Sequence, residues 1–355
     1  MMSSDNKNKH KSPSTSRRSD TPRDPPLHDR YKAKEFFLHT DTEFDPNDAW
    51  DDSIEQKCSH SIRLYFENVH GLKPSANWNK WCDMLSALRT HQVDIIGFAE
   101  TNVNWNPILA RRAQAVVRKQ FGSGVMINTT SDDPVKSAYK QGGTSQILLG
   151  NTIGAIQSNH TDERGLGRWV YTIINGKNNK KLVIVTAYRV CKDSMLKGHS
   201  TVYAQQYRIL RRQNVTNPHP KQQFDKDLIS LLQQWRKQQF EIILMIDAND
   251  TILASRFQKI LHSGELYDLL SSKHGANAPN TYLRGTNTID YILGTKGVKY
   301  ALERCGMLSF NDGILSDHRA LWIDLNLNNL DQKLPNIYTR PPHHAGKEQK
   351  MGCKS

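Results

Sequence analysis

Residues 315–320 read Leu-Ser-Asp-His-Arg-Ala and place a carboxylate beside an imidazole, directly before an apolar run that ends at Leu325. Upstream, residues 288–293 read Thr-Ile-Asp-Tyr-Ile-Leu, so Asp290 lies inside a second apolar run. Burying a carboxylate without a partner is costly, so Asp290 is expected to have one. An imidazole is the natural partner. The two runs are therefore predicted to be strands that bring Asp290 and His318 together.

Other apolar runs also end in side chains of the kind that bind metal or phosphate. Five such residues follow candidate strands: Asn68, Glu100, Tyr188, Asp247 and Asn249. Each of them alone is typical of an ordinary turn. In open α/β sheets, however, sites form at strand ends, so these side chains are expected to meet at one edge.

The middle of the chain alternates short apolar runs with longer amphipathic stretches, which is the pattern of an α/β domain. The runs predict strands at residues 62–66, 94–99, 124–128, 144–149, 169–174, 182–187, 242–246, 288–293 and 320–325. The amphipathic stretches predict helices at residues 78–91, 108–120, 202–213, 224–239 and 255–263.

The two ends of the chain differ from the middle. Residues 1–57 are rich in Lys, Ser, Asp, Pro and Arg, a composition that cannot bury enough apolar surface to fold. They predict a disordered tail, residues 58–327 a single domain and residues 328–355 a flexible C-terminal tail. The chain has a formal net charge of +13, and the N-terminal tail is slightly acidic. Nearly all the positive charge therefore belongs to the domain, where it favours nucleic acid as a partner.

The five cysteines are widely spaced and form no Cys-x-x-Cys pair; they are Cys58, Cys82, Cys191, Cys305 and Cys353. Neither a disulfide framework nor a zinc site is predicted, which indicates a reducing compartment. No apolar run approaches the roughly 18 residues that span a bilayer, and no signal-peptide pattern opens the chain. We expect an intracellular, nuclear protein with no membrane partner.

Taken in chain order, the motifs resemble those of the endonuclease/exonuclease/phosphatase superfamily, which includes abasic-site endonucleases, deoxyribonuclease I and the endonucleases of non-LTR retrotransposons. The resemblance extends over residues 61–326. The matching motifs are Glu-Asn68-Val-His-Gly-Leu, Gly-Phe-Ala-Glu100-Thr, Ala-Tyr188-Arg-Val, Ile-Asp247-Ala-Asn249, Ile-Asp290-Tyr-Ile-Leu and Ser-Asp317-His318-Arg-Ala. The resemblance implies a four-layer α/β sandwich in which two packed mixed β-sheets are flanked by helices.

Three further segments are similar to retrotransposon endonucleases: Ala-Glu-Thr-Asn-Val-Asn-Trp105, Gly-Leu-Gly-Arg-Trp169 and Thr-Ala-Tyr-Arg-Val-Cys191. Such domains usually precede a reverse transcriptase, which this chain is too short to contain. The resemblance therefore implies a domesticated or truncated element product with a reverse transcriptase as partner. The chain departs from the superfamily pattern at His70, Asn102 and Cys191, and these departures argue against a role in abasic-site repair.

The resemblance also implies how the motif residues divide the chemistry. Glu100 would hold Mg²⁺, or Mn²⁺ in its place, and Asp317 would share or tune the metal. Asp247 would deprotonate the attacking water. Asn68 and Asn249 would position water and phosphate without adding negative charge.

The remaining residues would act on the transition state. His318, oriented by Asp290, and Tyr188 would stabilise the negative charge that develops on the phosphoryl oxygens. The implied activity is a metal-dependent phosphodiesterase that nicks DNA. Two alternatives stay open: a non-catalytic nucleic-acid-binding relative, and a lipid or inositol phosphatase of the same fold.

Basic and aromatic residues outside the motifs are candidates for contacts with nucleic acid. They are Arg164, Arg168, Arg208, Arg211, Arg212, Trp105 and Trp169. The alternative for the arginines is an ordinary solvated surface, and for Trp169 it is a place in the core.

Overall fold

A computed structural model describes residues 48–72, 78–176, 180–191, 198–312, 316–326 and 329. The strands are β1 (Trp50–Asp51), β2 (Ser61–Asn68), β3 (Ile95–Ala99), β4 (Val125–Thr129), β5 (Thr144–Leu148), β6 (Ile156–Thr161), β7 (Trp169–Asn175), β8 (Lys181–Tyr188), β9 (Glu241–Asp247), β10 (Tyr267–Asp268), β11 (Asp290–Gly294), β12 (Leu302–Met307) and β13 (Leu321–Asn326). The α-helices are α1 (Asn79–Thr90), α2 (Pro107–Phe121), α3 (Val202–Arg212), α4 (Pro220–Lys237), α5 (Ser255–Gly264), α6 (Leu269–His274) and α7 (Lys296–Ala301), and a 3₁₀ helix spans Gly150–Ala155. None of the helices described is both long and apolar enough to cross a membrane.

Every predicted strand and helix is present, with ends shifted by a few residues. Four strands (β1, β6, β10 and β12) and two short helices (α6 and α7) were not predicted. The missed strands are very short or polar. The sequence of β6, for example, is Ile-Gln-Ser-Asn-His-Thr, and only every second residue is partly buried. Such a strand lies at the edge of its sheet, where few apolar side chains are required.

The predicted disordered tail is too long at its C-terminal end. Strand β1 pairs antiparallel with β12, and Trp50 packs against the buried core. The folded domain therefore begins before residue 58. Residues 1–47 of the predicted N-terminal tail lie outside the described residues, as does the predicted C-terminal tail apart from Asn329.

Two mixed sheets form the centre of the domain. The first sheet has the strand order β1-β12-β13-β2-β3-β5-β4, and the second has the order β10-β11-β9-β8-β7-β6. Strands β2 and β3 are parallel, as are β8 and β9, while the other pairs are antiparallel. Parallel neighbours end at the same edge of a sheet, so the C-terminal ends of β8 and β9 lie side by side.

Apolar side chains alternate between the two faces of each sheet, and both faces are buried. Leu64 and Phe66 of the first sheet face Ile243 and Met245 of the second across the inter-sheet core. Helices α1 and α2 cover the outer face of the first sheet, and α4 and α5 cover that of the second. The expected four-layer α/β sandwich is confirmed.

One polar side chain connects the sheets through this core. Gln146 of β5 donates from Nε2 to the carbonyl oxygen of Ile184 at 3.1 Å and to Oγ1 of Thr186 at 3.2 Å, both on β8. Its Oε1 accepts from the Thr172 hydroxyl of β7 at 2.6 Å. The amide is fully buried, and satisfying both of its ends offsets the cost of burying it.

The close approach of the sheets leads to a prediction for Gly97 of β3. A Cβ at this position would lie 2.7 Å from Met245 Cε and 2.7 Å from Thr186 Oγ1. Overpacking of this kind costs about 1 to 3 kcal/mol, so Gly97→Ala should lower the free energy of unfolding by that amount in urea. Gly154→Ala is the control, because a Cβ there meets no atom within 4 Å. Equal stability of the two variants would contradict the described packing.

Candidate active site

The rows of side chains that face the inter-sheet core end in the polar residues singled out above. In β2 this row runs through Leu64 and Phe66 and ends at Asn68. The corresponding rows of β8 and β9 end at Tyr188 and Asp247, and that of β11 begins at Asp290. In register, Asp247 pairs with Asp290 on one side and with Tyr188 on the other. The two-residue period of the strands thus brings these side chains to one end of the space between the sheets.

The side chain of Asn68 lies at the centre of the group. Its Nδ2 donates to Asp247 Oδ2 at 2.7 Å and to Glu100 Oε2 at 3.0 Å, and lies 3.4 Å from His318 Nε2. Its Oδ1 accepts from the backbone N–H of His70 at 3.0 Å, which turns the nitrogen towards the carboxylates. Asn68 therefore links Glu100 of the first sheet to Asp247 of the second.

His318 and Asp290 form a buried hydrogen-bonded pair. His318 Nδ1 lies 2.8 Å from Asp290 Oδ2, and both side chains are buried. The backbone N–H of His318 donates to the Ser316 hydroxyl at 3.1 Å, and the ring of Tyr282 lies 5.0 Å from the imidazole. These contacts hold the imidazole with Nδ1 towards Asp290 and Nε2 towards Asn68.

The backbone around this pair is held by Thr281. Its Oγ1 accepts from the N–H groups of Ile289 at 2.9 Å and Asp290 at 3.1 Å. Its carbonyl oxygen accepts from the N–H of Arg319 at 2.8 Å. Thr281 thus joins the segment that carries Asp290 to the segment that carries His318.

Burial and neighbouring charges shift the protonation of the group. Burial, together with the Asp290 and Glu100 carboxylates, raises the pKa of Asp247 to about 8. Burial lowers the pKa of His318, but Asp290 and Asp247 outweigh it and raise this pKa to about 10. Burial, Glu100 and Asp247 raise the pKa of Tyr188 well above its usual value. At neutral pH, His318 is therefore an imidazolium and Tyr188 a neutral hydroxyl, so both can donate hydrogen bonds.

Asp247 and Asn249 are held by the turn that follows β9. The N–H of Asn249 donates to Asp247 Oδ1 at 2.9 Å, and Asn249 Nδ2 donates to the carbonyl oxygen of Arg189 at 2.9 Å. Asn249 has a φ of 45°, in the left-handed region that asparagine tolerates better than most residues.

Glu100 and Asp317 have the chemistry of ligands for a hard divalent cation. Oxygen Oδ1 of Asp317 is buried and accepts no hydrogen bond from the described residues; His70 Nδ1 lies 3.6 Å away. Glu100 Oε2 accepts only from the Asn68 amide among the hydrogen bonds described. A buried carboxylate oxygen without a donor is a suitable ligand atom for Mg²⁺ or Mn²⁺, and Asp317 Oδ1 is such an atom; the half-buried carboxylate of Glu100 offers oxygens of the same kind.

A deeper group also has ligand-like spacing. One ligand atom from each of Asp247, Asp290 and His318 lies within 4.8 Å of the others. A metal there would have to replace the 2.8 Å bond between His318 and Asp290, and Asp247 is already bonded to Asn68. We therefore interpret the three residues as a hydrogen-bonded acid–base group and not as a metal site.

Two of the residues expected to contact nucleic acid are buried. Arg168 is 1% exposed and forms ion pairs with Asp162 and Asp227. Its guanidinium lies 4.0 Å from the ring of Trp169, which packs in the core between the second sheet and its helices. Arg168 therefore neither contacts nucleic acid nor forms a solvated surface, and Trp169 has the place in the core that was weighed against such a contact.

The other arginines of that set are at the surface. Arg208 and Arg212 both form ion pairs with Asp133, and Arg164 pairs with an aspartate of α4. Arg211 is exposed at the end of α3. Salt-bridged surface arginines carry less free charge than the sequence suggests.

The three departures from the superfamily pattern lie beside the site residues in sequence. His70 is half-exposed next to Asp317. Asn102 is buried, and its Oδ1 accepts from the N–H of Gly142 at 2.7 Å, so its side chain holds a loop. Cys191 is exposed.

Sequence reasoning missed Thr281, Tyr282 and Arg189. Tyr282 reaches His318 through an isolated bridge between distant segments, and no local pattern signals such a contact. Arg189 had a signal: it follows strand β8 directly, and the apolar face of α4 carries a buried Asp225 that requires a cation.

Two solved structures with similar folds are an AP endonuclease and a 3' phosphatase. The AP endonuclease from Leishmania major has a TM-score of 0.55 and 14% identity, over 81% of this chain and 91% of that one. The 3' phosphatase NExo from Neisseria, bound to a product DNA hairpin, has a TM-score of 0.51 and 14% identity, over 74% of this chain and 99% of that one. This is the endonuclease/exonuclease/phosphatase fold. No protein-family model and no curated protein sequence matches the chain, so the similarity extends to the fold alone.

The described pair predicts how His318 titrates. Asp290→Asn should lower the pKa of His318 by about 1 to 3, because the opposite charge that stabilises the imidazolium is removed. Histidine NMR signals followed against pH measure the change. Asp324→Asn, which alters a buried carboxylate paired with Arg63, is the control.

The same pair predicts a direction for stability. Because the pKa of His318 is raised in the folded state, protonation of His318 contributes to the free energy of unfolding. This contribution is fully present below about pH 6.5 and is lost as the pH rises towards 10. An unchanged His318 titration in Asp290→Asn would contradict the assigned pair.

Proposed function

We propose that the chain is a Mg²⁺-dependent phosphodiesterase that nicks DNA. The observation that carries the proposal is the convergence, in one group, of Glu100, the Asn68-bound carboxylate of Asp247 and the Asp290-bound imidazolium of His318. Hydrolysis of a phosphodiester needs a base for water and donors for the phosphoryl oxygens. This group supplies both within hydrogen-bonding distance of Asn68.

Asp247 is the proposed base. Asn68 holds its Oδ2 and the Asn249 N–H holds its Oδ1, so the carboxylate has a fixed orientation. A raised pKa makes it a stronger base than an exposed aspartate. Glu100 and Asp317 would hold the metal, which when bound would neutralise phosphate charge and favour the ionised form of Asp247.

His318 and Tyr188 are the proposed donors to the phosphoryl oxygens. Both are protonated at neutral pH, and both are buried so that water competes poorly for them. Asp290 fixes the orientation of the imidazole through Nδ1, which leaves Nε2 to act. Donors that are already oriented stabilise developing charge with little reorganisation.

DNA is the proposed substrate on the basis of charge and fold. The net charge of +13 favours a polyanion, and one solved structure of the same fold is bound to a DNA hairpin. The motif similarity to retrotransposon endonucleases supports an element-derived protein that acts on nuclear DNA with a reverse transcriptase as partner.

The proposal predicts metal-dependent nicking. Purified protein should convert supercoiled plasmid to open circles with Mg²⁺ or Mn²⁺ and should stop when EDTA is added, as followed on agarose gels. Asp247→Asn should abolish turnover and leave DNA affinity nearly unchanged, because it removes the base without changing size. Its free energy of unfolding should fall by no more than about 1 to 3 kcal/mol, because one of the two donors to the carboxylate, Asn68 Nδ2 or the Asn249 N–H, then meets an amide NH2 group.

Two results would overturn this assignment. Cutting that persists in EDTA would remove the metal from the mechanism, and hydrolysis of inositol phosphates without nicking would place the chain among the small-molecule phosphatases. Loss of folding in Asp247→Asn would show that Asp247 is structural.

The pair formed by Asp290 and His318 predicts non-additive losses. His318→Ala should lower kcat by about 10²- to 10³-fold with little change in DNA binding, because the charge it stabilises exists only in the transition state. Asp290→Asn should cost less, since the imidazole remains. The double variant should be scarcely slower than His318→Ala alone. Multiplicative losses in single-turnover kinetics would mean that the two residues act independently.

A further inference from the structure

We propose that Arg189 is a positioning residue that sets the place of Asp247 and Asn249 through the turn after β9. The inference rests on the proposed function and identifies a part of the same site that touches no substrate. Arg189 follows Tyr188 directly, and its side chain is fully buried. A buried guanidinium is retained only when nearly all of its donors are satisfied, so its partners show what it holds.

One edge of the guanidinium binds helix α4. Nε donates to Asp225 Oδ1 at 2.7 Å, and Nη2 donates to Asp225 Oδ2 at 2.9 Å. This is the two-pronged geometry that a planar guanidinium forms with a carboxylate. It fixes the plane of the guanidinium against the helix, and the remaining nitrogen then points in a defined direction.

The remaining nitrogen binds the turn. Nη1 donates to the carbonyl oxygen of Ala248 at 3.1 Å and to Asp250 Oδ2 at 3.0 Å. The backbone of Arg189 adds two bonds: its N–H donates to the carbonyl oxygen of Asp247, and its own carbonyl oxygen accepts from Asn249 Nδ2. One residue therefore contacts each of the four consecutive residues that contain the proposed base and its neighbouring amide.

Lys221 is a second cation at the turn, and its Nζ lies 3.3 Å from Asp250 Oδ2. The Ala248 N–H donates to the carbonyl oxygen of Ile289, and Lys221 Nζ donates to the carbonyl oxygen of Asn249 at 2.8 Å. Asn249 sits in the left-handed region. Loss of the guanidinium would thus release the turn while β9 itself stays paired on both sides.

A lysine cannot replace this arginine. The ammonium group is a single point of charge and cannot span Asp225, the Ala248 carbonyl and Asp250 in one plane. Arg189→Lys therefore keeps the charge and removes the fixed geometry. Arg63→Lys is a matched control, because Arg63 is also fully buried and bound by two nitrogens to one carboxylate, that of Asp324. Arg63 lies at the opposite end of β2 from Asn68.

The test compares the two variants in plasmid nicking, thermal unfolding and backbone hydrogen exchange. Both should lose similar thermal stability. Only Arg189→Lys should lose kcat, by about 10- to 100-fold with KM nearly unchanged, because small displacements of a reacting group cost rate and not binding. Only Arg189→Lys should also speed exchange at the Asn249 N–H, by about tenfold or more, because this N–H is bonded to Asp247.

The exchange measurement separates this inference from the proposed function. If the wild-type protein does not nick DNA, the proposed function fails, and faster exchange at Asn249 in Arg189→Lys alone still supports the positioning role. Equal exchange and equal kcat losses in both variants would overturn the role. If Arg189→Lys does not fold, Asp250→Asn replaces it. This variant removes the negative charge that pairs with Arg189 and with Lys221 at a partly exposed position, and unchanged kcat and exchange there would overturn the inference.

Discussion

Two buried carboxylates face each other in register on neighbouring strands, Asp247 on β9 and Asp290 on β11. Both are almost completely inaccessible to water, and burial together with the Asp290 charge raises the pKa of Asp247 to about 8, so that two like charges do not face each other at neutral pH. The arrangement is stable because each carboxylate has its own partner: the imidazolium of His318 for Asp290 and the amide of Asn68 for Asp247. Both partners come from the segments of the first sheet. The two carboxylates therefore gain their partners only when the two sheets pack against each other.

The sequence indicated most of this site because its logic is local. Side chains two residues apart on a strand lie on the same face. Because Ile243 and Met245 of β9 face the inter-sheet core, the side chain of Asp247 at the end of the strand faces it too. The pairing of Asp290 with His318 followed from the cost of a lone buried carboxylate. The contact of Tyr282 with His318 did not follow, because it depends on where a loop folds back. Strand β6 was missed because an edge strand needs little apolar sequence.

The location of the charged side chains was the property that the sequence predicted least well. The composition gives only a sum, and it suggested that arginines such as Arg168 face a polyanion. In the folded chain Arg63, Arg168 and Arg189 are buried beside aspartates. These residues hold strands to helices or to each other, and they add nothing to the surface potential. The net charge of +13 therefore favours nucleic-acid binding only through the lysines and arginines that lie at the surface.

The amide of Gln146 has a consequence for how such a site tolerates change in the rest of the molecule. Its bonds to Ile184 and Thr186 oppose sliding of one sheet over the other. A slip by one residue along a strand is about 3.3 Å, a displacement large enough to break the hydrogen bonds of Asn68 to Asp247 and of His318 to Asp290. The outer helices can therefore vary in sequence as long as they stay apolar on one side and α4 keeps Asp225, which binds Arg189. The offset between the two sheets is less free to change, because the buried amide of Gln146 is bonded across them.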